Sequence, residues 1–190
     1  MNTTLVPTLA SRTLPRLNSR TRDLLLIVGG SLFVAGMAQV RIPLPFTPVP
    51  LTGQTFAVLL VGAALGSRRG AASLLLYLVQ GLAGLPVFAG GASGLAYLAG
   101  PTGGYLVGFV CAAFIVGRLA ENGLERHFRS AWVAFLAGEA AIYLCGVSWL
   151  GAYLGMPKAL VAGLLPFLIG DLIKLIAAAL ALPTAWRLVK

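Results

Sequence analysis

Along this chain apolar residues gather into long blocks, at residues 24–40, 51–65, 71–85, 102–119, 131–153 and 160–182. Short polar, basic or glycine- and proline-rich breaks separate them. A helix needs about 20 apolar residues to cross the hydrocarbon of a bilayer. The first block spans with modest thinning of the bilayer, whereas the second and third, at about 15 residues each, are short for a full span. Together the blocks predict an all-α integral membrane protein of six transmembrane helices with glycine- and proline-rich outer loops.

The breaks differ in chemistry. Residues 41–54 read RIPLPFTPVPLTGQ, and Pro43, Pro45, Pro48 and Pro50 forbid a helix there and leave an extended, stiff loop. Gly66 to Gly70 form a tight turn carrying Arg68 and Arg69. Residues 86–104 hold Gly90, Gly91, Gly94, Gly100, Gly103 and Gly104 and no charge. Such a stretch suits irregular backbone folded back into protein at membrane depth, or equally an outer loop skimming the headgroups. Gly104, Gly108 and Ala112 share one face of the fourth span, on which another helix can approach closely. Ser31 and Ala35 make a similar pair in the first span, fit either for packing within the chain or for docking a separate subunit.

Composition agrees with the block pattern. With 58% hydrophobic and 10% charged residues, the chain departs from soluble globular domains, which carry about 25% charged residues. The mean hydropathy is +0.92. At 190 residues there is room for one bundle, residues 23–190, and no soluble second domain. Residues 1–22 carry Arg12, Arg16, Arg20 and Arg22 with no acid before Asp23, and read as a basic cytoplasmic tail. A signal peptide fits less well, because the apolar run that follows is long enough to span. Placing the tail inside puts eleven of the fourteen Lys and Arg residues on the cytoplasmic side, leaving Arg41 and Lys158 outside and Lys174 in the membrane. Both termini are therefore expected in the cytoplasm of a multi-pass plasma-membrane protein, and the net charge of +9 needs no nucleic acid to explain it.

The sharpest chemical signal is Asp171 with Lys174 in the last block, one helical turn apart on one face. Each charged side chain at a helix centre costs roughly 2.5–3.5 kcal/mol on insertion scales, so partners or a ligand must offset it. The pair marks a small-molecule site or, alternatively, a self-neutralising lock between helices. Glu139 is a further intramembrane carboxylate, more simply structural than cavity-lining. His127 reads as a solvated loop residue. Cys111 and Cys145 lie in apolar runs as packing residues, with no metal-ligand spacing and no disulfide framework. There is neither a nucleophile–base pair nor a Walker-type phosphate loop, so neither an enzyme nor a self-contained ATPase is indicated, and no cofactor is called for.

Five segments, PVPLTGQTFAVLL from Pro48, GLAGLPVFAGG from Gly81, GPTGGYLVGF from Gly100, IYLCGVSWL from Ile142 and PFLIGDLIK from Pro166, together resemble the BioY family. These are the biotin-specific substrate-binding components of energy-coupling factor transporters. The resemblance implies a six-helix S-component fold that binds biotin beneath the outer loops. It also implies two kinds of partner, a transmembrane coupling subunit and a pair of ATP-binding subunits, with Ser31 and Ala35 as the docking face. Asp171 and Lys174 then match the acid and base set against the ureido head, whose N–H and carbonyl groups suit them. Gln54 matches a glutamine after the proline-rich loop, with Thr52 beside it. Some relatives carry asparagine where this chain has Ala92, which makes Ser93 the substitute, alongside Gly90, Gly91, Tyr97 and Tyr105. Where some have arginine this chain has Leu106, leaving the carboxylate of biotin to Arg41 or to backbone N–H groups. Loop 41–54 is then a lid whose Leu44 and Phe46 cover the ligand. The alternatives are an S component for another vitamin or a self-sufficient secondary transporter, the latter weakened by the lack of a detectable inverted repeat.

Overall fold

Glycines and prolines mark most of the places where helices stop. In the computed structural model, which describes residues 4–189, the chain opens with α1, Leu5–Thr13, and α2, Ser19–Gln39. Asn18 caps α2, its side-chain oxygen accepting the Thr21 backbone N–H at 2.7 Å. The proline-rich loop follows as a small hairpin: β1, Arg41–Ile42, pairs antiparallel with β2, Leu51–Thr52, so that Arg41 lies opposite Thr52. Helix α3, Gln54–Leu65, turns into α4, Ser67–Leu82, at Gly66, whose φ of +86° side-chain-bearing residues rarely adopt. A single short helix, α5, Leu95–Leu98, lies in the glycine-rich stretch before α6, Gly103–Glu121. A 3-10 turn, Leu124–Arg126, leads to α7, Phe128–Leu154, then α8, Met156–Gly163, and α9, Leu168–Val189.

The protein is thus nearly all helical. Among the described residues, α2, α6, α7 and most of α9 are long and apolar enough to cross a membrane, and α3 is a shorter apolar helix of 12 residues. Three expectations need adjusting. The second apolar block begins as a strand rather than a helix, because Thr52 pairs with Arg41. The last block is not one helix. Pro166 has no N–H to continue a helical ladder, and the chain turns between α8 and α9. Asp171 consequently sits in the first turn of α9 and not at a helix centre. There the positive end of the helix dipole favours a carboxylate. Within the stretch read as a basic tail, α1 packs on the bundle through buried Leu5 and Ala10.

Helices α6 and α7 form the most extensive pairing, and α3, α4 and α9 gather around them. Gly104 and Gly108 make the α6–α7 contact close: a Cβ on Gly108 would lie 3.0 Å from Cα of Ile142. One apolar core joins Tyr77, Phe88, Phe109, Ile142 and Leu150. A second joins Leu59, Val116, Phe135, Leu175 and Leu182, with Leu5 of α1. The outer surfaces remain apolar, with Leu25, Leu32, Leu144, Ile169 and Ile173 all exposed. So continuous an exposed apolar surface suits lipid contact. The glycine-rich stretch is pinned by Phe88, fully buried, which stacks on Tyr97 at 5.2 Å and meets Tyr77 edge-on at 5.5 Å.

Candidate functional site

Asp171 is buried, Lys174 is half-buried one turn later, and the ammonium Nζ lies 2.8 Å from Asp171 Oδ1. Two further helices reach the same carboxylate. Thr55, on α3, donates its hydroxyl to Oδ1 at 3.0 Å and accepts from Lys174 Nζ at 3.1 Å. Tyr143, on α7, donates its hydroxyl to Oδ2. A buried ion pair of this kind is tolerated because hydrogen bonds occupy the lone pairs that the partner charge leaves open. Together α3, α7 and α9 thus present an anion, a cation and two hydroxyls at one point.

Above this point lies a narrow cavity of about 50 Å³. Thr52, Gln54, Thr55, Tyr143, Asp171 and Lys174 supply its polar lining, and Leu106, Phe109, Ile142 and Phe167 its apolar walls. Gln54 donates to the Tyr77 hydroxyl at 2.8 Å, which sets its side chain at the start of α3. Tyr105 donates to the Gly163 carbonyl at 2.7 Å, tying α6 to α8. Pro50, Tyr97 and Thr102 border both this cavity and an outer one of about 360 Å³ beneath the hairpin. Arg41 lines the outer cavity, its guanidinium lying against Gly90 where a side chain would otherwise be. The hairpin tip is fastened to α8 by the Thr47 hydroxyl, which donates to the Ala162 carbonyl at 2.8 Å.

Of the residues expected from the sequence, Asp171, Lys174, Gln54, Thr52, Tyr97 and Tyr105 meet at the inner cavity, and Arg41 stands at the outer one. Gly90, Gly91 and Ser93 line neither. The reason is local: Phe88 N–H bonds to the Ala92 carbonyl at 3.0 Å, so the turn closes on itself and sends Phe88 into the core. Gly90 serves as the platform for Arg41, and Gly91 donates its N–H to Gln39 Oε1 at 3.0 Å. Phe46, expected to cover a ligand, points outward at 66% exposure, whereas Leu44 lines the outer cavity. Ser31 is fully buried and donates to Gln80 on α4 at 2.7 Å, while Ala35 is half-buried against the same core.

Thr55 and Tyr143 escaped the sequence reading. Tyr143 did leave a trace, because it follows Glu139 by one helical turn on the same face. Glu139 itself is buried with no hydrogen-bond partner for either oxygen among the described residues, and it lines neither cavity. The Asp171 cluster offers both donors and acceptors to a small polar head, and the apolar walls offer a surface for a non-polar body. That is the usual composition of a small-molecule site.

A family model described as the BioY family matches residues 8–190. A probable biotin transporter of Pyrococcus horikoshii is 42% identical over 159 residues, which cover 83% of this chain and 92% of that protein. A biotin transporter of Rhizobium etli is 40% identical over 171 residues, covering 84% of this chain and 90% of its own. A crystal structure of the S-component for biotin from an ECF-type ABC transporter aligns with a TM-score of 0.80 and 26% identity, over 90% of this chain and 95% of that one.

Proposed function

The chain belongs to the BioY family, and we propose that it is the biotin-binding membrane component of an energy-coupling factor transporter. It is a transport protein and not an enzyme. In this reading α2, α3, α4, α6, α7 and α9 are the six membrane helices, with both termini inside. The hairpin and the glycine-rich turn then face outward, on the side from which the vitamin arrives.

The observation that carries the reading is the convergence of Thr55, Tyr143, Asp171 and Lys174 at the base of a cavity with apolar walls. Biotin's ureido ring has two N–H donors and one carbonyl acceptor, which the carboxylate and ammonium satisfy respectively. The bicyclic body lies against Phe109, Ile142 and Phe167, and the valerate chain passes Pro50, Tyr97 and Thr102 toward Arg41. A guanidinium is the side chain best shaped to hold a carboxylate. Small-molecule sites usually occupy about 300–1,000 Å³. A cavity of about 50 Å³ must therefore widen, and the hairpin over residues 41–54 is the movable wall.

In this reading a coupling subunit and its ATP-binding partners supply the energy, since the sequence carries no Walker-type phosphate loop. The outward face of α2 is the natural contact, because a Cβ at Gly29 or Gly36 would meet nothing within 4 Å. Titration of the purified protein with biotin, riboflavin and thiamin tests the substrate. Saturable binding of biotin alone is expected; preference for another vitamin, or no binding at all, would sink the assignment.

A further inference from the structure

At one end of the bundle, α1, the 3-10 turn before α7 and the last turns of α9 enclose a cleft of about 670 Å³. It is separate from the site above, and each of its three walls contributes an arginine: Arg12, Arg126 and Arg187. His127, the chain's single histidine, and Thr184 add polar groups, and among the described residues that line it none is a carboxylate. Arg126 is held in place from two sides. Its guanidinium lies 4.8 Å over the Trp186 ring, and its Nε is 3.8 Å from Glu125 Oε1. Glu125 is itself fully buried behind the wall, where its Oε1 accepts the Trp186 indole N–H at 3.1 Å.

The floor of the cleft has the opposite character. Ala179, Leu180, Pro183 and Phe128 are apolar, and Leu180 and Phe128 are exposed, so the floor continues onto the outside of the bundle. Cationic donors thus stand at the end of a membrane helix over an apolar groove that opens sideways. A soluble anion would use the arginines and leave the groove idle. A phospholipid uses both.

We propose that this cleft binds the phosphate group of an anionic phospholipid, in the leaflet at the end of the bundle formed by α1 and the last turns of α9. The guanidiniums engage the phosphate oxygens, for which their planar fork is well shaped, while an acyl chain runs along Phe128 and Leu180. Basic pockets between membrane helices are suited to such headgroups, and each arginine near an anionic lipid surface contributes about a fivefold gain in binding. A bound lipid bridges α1, the connection between α6 and α7, and α9, all of which line the cleft.

Native mass spectrometry of the detergent-purified protein tests this, with dioleoyl phosphatidylglycerol and dioleoyl phosphatidylcholine offered in equal amounts. Phosphatidylglycerol adducts should dominate, and Arg12→Gln with Arg187→Gln should reduce them about fivefold or more. Arg68→Gln with Arg129→Gln, which removes the same charge elsewhere, should change them little. Thr184→Glu, which places a negative charge at the cleft while leaving the arginines intact, should also reduce them, and retained biotin binding shows that each variant is folded. Equal uptake of the two lipids overturns the proposal, as does an equal loss in the control variant. Protection from thermal unfolding by millimolar inorganic phosphate that matches the effect of phosphatidylglycerol would identify a soluble phosphate site and overturn the lipid as its occupant.

Discussion

Tyr143 on α7 donates its hydroxyl to Asp171 on α9, on the carboxylate oxygen that Lys174 and Thr55 leave open. The acid is therefore held from three helices before any ligand arrives. Removing the charge should harm binding more than removing one of its supports. Asp171→Asn is expected to weaken biotin binding by more than about 1.5 kcal/mol, over tenfold in Kd, while the protein stays folded. Tyr143→Phe should cost less, about 0.5–1.5 kcal/mol, because Lys174 and Thr55 still position the carboxylate. Calorimetric titration of both variants checks the order. Normal binding by Asp171→Asn would remove this residue from the site.

Arg41 and Gly90 make a second pair with a predictable consequence. Gly90 has a φ of +73°, and a Cβ there would occupy the place of the Arg41 guanidinium. If Arg41 holds the carboxylate of biotin, Arg41→Gln should raise the Kd for biotin about tenfold or more and leave that for biotin methyl ester unchanged. Gly90→Ala should reproduce that selectivity by displacing the guanidinium. Equal losses for acid and ester would show that Arg41 acts on the hairpin alone.

How much of this was legible in the sequence follows from what burial makes visible. Asp171 and Lys174 stand out because a charge in an apolar block is costly, and the four prolines announce a stiff loop. Thr55 and Tyr143 do not stand out, since hydroxyls are ordinary inside such blocks; only the fold brings them to Asp171. The break at Pro166 was readable in principle, yet the apolar run around it hid the helix start that places Asp171 near a positive helix end. Ser31 illustrates the converse: a small residue suits either an inner or an outer contact, and only its bond to Gln80 decides. The arginines of the cleft beside α1 are distributed from residue 12 to residue 187, a proximity that no local pattern carries.

The two faces of α2 should separate folding from coupling. Ser31→Leu enlarges a fully buried residue and strands Gln80, and should lower thermal stability by about 1–3 kcal/mol. Gly29→Leu with Gly36→Leu adds bulk where there is open space, so stability and biotin binding should persist while ATP-dependent uptake falls. Uptake by reconstituted vesicles containing the coupling module provides the measurement. Undiminished uptake by the double variant would move the docking face elsewhere.

Glu125 gives the fold a pH dependence of definite sign. Burial pushes its carboxyl above the ordinary range, although Arg126 and the Trp186 N–H pull the other way. The folded protein therefore holds this proton more tightly than the unfolded chain. The resulting stability is complete below the usual glutamate value, about 4.3, and is lost as pH rises through the raised folded value. Relative to Glu125→Gln, the wild-type Tm should fall as pH rises from the usual glutamate range through the raised folded value. Parallel melting curves for the two proteins across that range would show that the carboxyl is not strained by burial.

The hairpin latch offers the most direct test of the lid. Thr47 joins the hairpin tip to α8 through its bond to Ala162, and its oxygen also accepts the Val49 N–H at 3.2 Å. Thr47→Val removes both while keeping the shape of the side chain. If the hairpin must move for biotin to pass, loss of the latch should raise the off-rate about twofold to tenfold, the equivalent of one hydrogen bond. The on-rate should not fall, since opening also becomes easier. Replacing Pro45, Pro48 and Pro50 with glycine should act in the same direction by a different route, because a floppier hairpin loses more conformational entropy each time it closes. Stopped-flow kinetics on both variants distinguishes these effects from damage to the pocket, which would instead slow association. An off-rate unaltered in both would leave the hairpin as a mere connection between α2 and α3.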